Sequence, residues 1–180
     1  MKRYAAFLRG MNLGKRRITN AELREHFEKM GMAEVATFRA SGNVVFATDG
    51  GEAEAKLARR VEGELDAMLG YDVPVFLRSD AELAAIAAFE PFDASLVAAS
   101  KGKLQVSLLE EKPSAAARGE VLALASEEDR LAIEGRELYW LPSGGTLESA
   151  LDQKAIAQAL GQATMRTKGT IEQLAARYCG

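Results

Sequence analysis

The stretch Val73-Pro74-Val75-Phe76-Leu77-Arg78 decides the fold. It is a short apolar run of strand length. Proline has no N–H to give to a ladder, so this strand must lie at a sheet edge or begin at Pro74. Working back, Leu57, Val61, Leu65 and Met68 recur on one helical face, and the helix stops at Gly70. Before Gly50-Gly51 lie two strands, Val35 to Ala40 and Val44 to Phe46, joined by the turn residues Ser41-Gly42-Asn43. Further back, Thr19 precedes Glu22 by three, the spacing of a capping box, and Ile18 and Leu23 are placed for a hydrophobic staple. Leu23, Phe27 and Met30 continue one face of that helix, and Gly31 can end it in a left-handed cap. Tyr4 to Leu8 has the size of a central strand. The order is β-α-β-β-α-β with short connections, which fits a ferredoxin-like sandwich. That fold orders its strands 4-1-3-2 and puts the fourth at an edge, where Pro74 requires it.

Working forward, Ser79 and Glu82 open another capped helix through Leu83 and Ile86, broken at Glu90-Pro91-Phe92. The segment from Asp93 to Lys103 is the expected boundary, giving subdomains 1–92 and 93–180. Leu104, Val106 and Leu108 alternate with Lys103, Gln105 and Ser107, the pattern of a half-buried strand. A helix through Val121, Leu122 and Leu124 follows Pro113. Leu131 and Ile133, then Leu138 to Leu141, flank Glu134-Gly135-Arg136 as a hairpin. Ala155, Ile156, Ala159 and Leu160 make a helix ended at Gly161, and a last helix carries Ile171, Leu174 and Tyr178. The second half thus begins β-α-β-β-α without any residue-level repeat. The expected class is α+β, two ferredoxin-like subdomains with antiparallel sheets.

Composition narrows the function. The 180 residues are 48% hydrophobic, with a net charge of −3 and a pI near 5.4. That balance argues against a surface built wholly to grip nucleic acid. One cysteine, Cys179, and one histidine, His26, cannot make a disulfide framework, a cysteine zinc site or a His-rich metal centre. No metal and no cofactor is expected. No run approaches a membrane span, and the apolar stretch after Met1-Lys2-Arg3 is too short for a signal peptide. A cytoplasmic location follows. Glu127-Glu128-Asp129 reads as an acidic loop, Tyr139 and Trp140 as strand residues with at least one in the core, and His26 as a surface or half-buried side chain.

One site stands out by topology. If the end where strand one finishes is the top, the turn between strands two and three lies at the top as well. Arg9, Gly10, Asn12, Gly14 and Lys15, with Arg16 and Arg17, therefore meet Ser41, Gly42 and Asn43 there. The glycines permit close approach, the cations attract an anion, and Asn12, Ser41 and Asn43 offer directional hydrogen bonds. Backbone N–H groups at the start of the first helix would add to this. A small anionic ligand, phosphate or carboxylate, is the expected guest. The segment matches neither Walker A nor G-x-G-x-x-G. No catalytic constellation can be assembled, so enzymatic activity is left open. A nucleic-acid-binding module and an interaction module without ligand are the alternatives.

Leu8-Arg9-Gly10-Met11-Asn12-Leu13-Gly14, Ala40-Ser41-Gly42-Asn43-Val44-Val45-Phe46, and Val73-Pro74-Val75 with Arg78 resemble, in this order, the bacterial domain-of-unknown-function family DUF1697. The resemblance implies a pair of ferredoxin-like subdomains and no established activity. The family's Thr-x-Arg-Asn-Trp-x-Thr stretch is matched here by Thr164, Arg166 and Thr170, with Thr167 and Lys168 where Asn and Trp are usual. Its Ser-Lys-Leu becomes Ser149-Ala150-Leu151. Arg166 joins the candidate ligand-binding residues through this resemblance.

Overall fold

The computed structural model describes residues 1–39 and 42–180. The first half contains β1 (Lys2–Leu8), α1 (Asn20–Lys29), β2 (Ala33–Thr37), β3 (Asn43–Thr48), α2 (Glu54–Leu69) and β4 (Val75–Ser79). Their antiparallel sheet has the order β2-β3-β1-β4, the arrangement of a ferredoxin-like sandwich. β4 is an edge strand and starts one residue after Pro74, so the missing N–H costs no ladder bond. The amide of Val75 instead donates to Glu62 Oε1 at 2.9 Å. β2 spans Ala33–Thr37, and Ala40, the expected last residue of that strand, lies outside the described residues.

Helix boundaries follow their caps. Thr19 Oγ1 accepts from the Glu22 amide, and Glu22 Oε2 accepts from the Thr19 amide at 2.7 Å. Ile18 packs with Leu23 against the same core, as a staple would. α2 ends on Gly70 in the left-handed conformation. Tyr4, Ala6 and Leu8 of β1 face this helix-covered core with Leu23, Phe27, Leu57, Val61 and Leu65. Ala5 and Phe7 alternate to the other face and are buried as well.

The rest of the chain is α3 (Asp80–Ala88), α4 (Ala94–Ala99), β5 (Gln105–Leu109), α5 (Ala115–Leu122), β6 (Asp129–Glu134), β7 (Glu137–Pro142), α6 (Gln153–Leu160), β8 (Ala163–Thr167) and α7 (Lys168–Tyr178). The second sheet, β6-β7-β5-β8, repeats the first strand for strand. β6 and β7 form the expected hairpin, with Glu134 opposite Glu137 across Gly135-Arg136. β8 completes βαββαβ where the sequence pattern showed no strand. β5 is buried at all five positions, not half-buried. Gln105 and Ser107 pair with Trp140 and Leu138 on the face covered by helices, and Val106 and Leu108 lie on the other face with Tyr139. The alternation there separates two buried environments rather than inside from outside. The compact units are Met1–Ala84 with Leu174–Gly180, and Ala85–Gln173. Among the described residues, no helix is long and apolar enough to cross a membrane.

Candidate functional site

Three segments of the first unit meet at the end of β1. The Leu8 amide donates to Gly42 O at 2.8 Å, and the Arg9 amide donates to Pro74 O at 3.1 Å. The third segment is therefore the connection from α2 to β4. Gly42 has φ +72°, and a Cβ there would stand 3.1 Å from Leu8 Cβ and 3.2 Å from Met11 Cγ. This convergence of residues 9–17 with 42–43 has the topology expected from the sequence. Ser41 lies outside the described residues.

The loop from Arg9 to Ile18 is tied along its length. Met11 is buried in the core, and its carbonyl accepts from the Tyr71 hydroxyl at 3.2 Å. Asn12 Oδ1 accepts from the Ile18 amide at 3.0 Å, which closes the loop on itself. A turn carries the Arg16 amide to Leu13 O at 2.9 Å. The Arg16 guanidinium lies over the Tyr71 ring, 4.2 Å from its centroid. The Arg17 guanidinium donates to Arg16 O and Asn12 O. Gly10 and Gly14 both take positive φ in this path. Arg9 and Lys15 are exposed, and their side chains make no hydrogen bond or ion pair with the described residues. Asp72 is the exposed acid on the neighbouring connection.

Two expected contributors have partners within the fold. Asn43 is 1% exposed, and its Nδ2 donates to Phe38 O at 3.0 Å, closing the β2–β3 connection that Phe38 N and Asn43 O also bridge. The N-terminus of α1 carries its own capping box, in which the Glu22 carboxylate accepts from the Thr19 amide and hydroxyl and brings a negative charge to that end.

Elsewhere several polar residues have partners within the fold. Asp129, 6% exposed, is the first residue of β6, and its Oδ1 accepts from Trp140 Nε1 at 2.8 Å and Ser149 Oγ at 2.7 Å. Arg166 lies on β8 opposite Val106 and donates to Thr164 Oγ1 at 2.7 Å. Burial pushes its guanidinium down to about 10. Lys168, in the position of the expected tryptophan, is buried and donates to Ala87 O near the end of α3 and to Glu172. Burial also pushes the Cys179 thiol up, away from thiolate reactivity at neutral pH. His26 is half-buried, with Nδ1 enclosed and unpartnered among the described residues.

The model of DUF1697, a protein family of unknown function, matches residues 1–139. The chain belongs to this family. The DUF1697 match spans every loop residue described above and stops before Arg166. No curated protein matches the chain. Among solved structures, the conserved bacterial protein SP0830 from Streptococcus pneumoniae is 18% identical and covers 98% of each chain with a TM-score of 0.74. That likeness is one of fold.

Sequence reasoning missed Tyr71. Nothing in its local pattern separates it from a helix-end aromatic, since its partners Met11 and Arg16 arrive from sixty and fifty-five residues away. The only signal was topological: the connection before the fourth strand must also end at the top.

Proposed function

We propose that this DUF1697 protein binds a small anion bearing phosphate or carboxylate on the loop from Arg9 to Arg17. One observation carries this reading: Arg9 and Lys15 project from a loop tied by its own hydrogen bonds, with no carboxylate of the described residues paired to either. Gly10 and Gly14 shape the path, Gly42 lets the backbone close on it, and Asn12 keeps its Nδ2 for a ligand. The site works in the cytoplasm of a bacterium on this reading, which the lone cysteine and the bacterial neighbour support. A role in binding RNA would call on the same cations. It is the weaker reading, because ferredoxin-like RNA binders offer the sheet face opposite the helices, and Ala5, Phe7, Val45 and Phe76 are at most 8% exposed on that face.

The test is thermal unfolding with inorganic phosphate and pyrophosphate. At a hundred times Kd, binding should raise Tm by about 5–10 °C for a chain of this size. Arg9→Ala and Lys15→Ala should lose that gain while keeping the ligand-free Tm. Variants that keep the full gain would place the site elsewhere. Salt-sensitive binding of single-stranded RNA without any response to phosphate would replace the small-anion reading.

A further inference from the structure

We infer that Tyr71 is a positioning residue for this loop, fixing the backbone from which Arg9 and Lys15 reach a ligand; the inference rests on the anion-binding reading. Tyr71 sits just beyond α2, half-buried, with its ring packed against the helix-covered core of the first unit. It holds the loop at two points. Its hydroxyl donates to Met11 O, and its ring carries the Arg16 guanidinium. The two contacts lie on either side of the segment 12–15, so Lys15 and Asn12 are displayed from a span gripped at both ends. Met11 adds a third constraint through its buried side chain, which lies against Gly42.

The physical consequence is preorganisation. A nine-residue loop with two glycines has many conformations, and each ordering step left until binding weakens affinity. Tyr71 is well suited to remove that cost, because its ring is anchored by core packing and only its polar tip and one face serve the loop. Arg16 is then a holder and not a ligand contact: its charge is spent on the aromatic face. Division of labour follows within one short segment. Met11, Arg16, Arg17 and Asn12 Oδ1 maintain shape, whereas Arg9, Lys15 and Asn12 Nδ2 remain for the guest.

Tyr71→Phe and Tyr71→Leu test this, with pyrophosphate as probe and amide exchange as a second readout. Phe removes the hydroxyl bond and keeps the ring; Leu removes both contacts and keeps the packing. Pyrophosphate Kd should rise about tenfold in Tyr71→Phe and further in Tyr71→Leu. Without ligand, the Arg16 and Ile18 amides should exchange faster in both variants while those of β1 and β3 stay protected, a local pattern that a merely structural role would not give. Wild-type affinity in Tyr71→Phe alongside lost affinity in Arg9→Ala overturns the positioning role and leaves the anion site standing. Unchanged exchange at Arg16 and Ile18 overturns it as well. Pyrophosphate that binds wild type and Arg9→Ala alike, or binds neither, removes the anion reading and Tyr71's role with it.

Discussion

Gly42 and Gly14 share a positive φ but differ in what surrounds them. A Cβ on Gly42 would meet Leu8 Cβ, Leu8 O and Met11 Cγ at 3.1–3.2 Å, whereas one on Gly14 would meet nothing within 4 Å. Gly14→Ala should therefore cost only the left-handed backbone term, about 1 kcal/mol, and Gly42→Ala about 2–3 kcal/mol because Leu8 and Met11 must shift too. Urea unfolding of the two variants checks the order; equal losses would mean the Leu8–Met11 contact yields freely. Asn43→Ala leaves Phe38 O without its side-chain donor and should cost about 1–3 kcal/mol in the same experiment. Both glycines are visible in the sequence as turn residues. Their difference is not, since the atoms that crowd Gly42 belong to another strand and another loop. The burial of Asn43, 1% exposed, is likewise not written in its turn position.

Caps carry the same lesson at the level of helices and strands. The box of Thr19 and Glu22 was legible because both partners lie within four residues, and the box of Ser79 and Glu82 formed as its spacing required. Glu22's carboxyl is held below its ordinary value of 4.5, first by the Thr19 amide and then by the Thr19 hydroxyl. A depressed folded value means the stabilisation is complete above the ordinary value and is lost as pH falls through the folded one. Glu22→Gln should therefore flatten the acid limb of the stability–pH profile below about pH 4.5. A profile identical to wild type there would remove Glu22 from the account. Ser114→Ala, which strips the cap from α5, should cost about 1 kcal/mol at neutral pH. On α7, Lys168→Ala should cost about 2–3 kcal/mol and Glu172→Ala under 1, since Lys168 is buried and Glu172 is half exposed. β8 escaped the sequence reading for a physical reason. Ala163-Thr164-Met165-Arg166-Thr167 is an edge strand with only Thr164 fully buried, so it has no hydrophobic alternation to display.

The whole molecule consists of one topology used twice, and its halves are not two consecutive lengths of chain. Leu174–Gly180 belong with Met1–Ala84, and Leu174 is fully buried there. Arg177 and Tyr178 line a cavity of about 220 Å³ with Arg3, Tyr4, Glu34 and Asp80 at the start of β1. Deleting residues 174–180 should therefore cost protection in β1 and β3, the strands of the first unit, more than in β5 and β7 of the second. Amide exchange reads the outcome directly, and loss confined to the second unit would contradict the assignment. Strand order was legible because Pro74 and short connections leave few topologies. The composition of the units was not, because an amphipathic last helix announces that it is buried without saying against which sheet.

That interleaving sets an order of assembly during synthesis. Met1–Ala84 of the first unit is synthesised before the second unit, yet the seven residues Leu174–Gly180 of the first follow the entire second unit. At the usual pace of translation the wait is roughly 5–20 s. Through that interval the nascent first sheet holds Arg3, Tyr4 and Val45 without the segment that carries Arg177 and Tyr178. The second unit, contiguous in sequence, can close as soon as it is made. The half that is started first is therefore the half that is finished last.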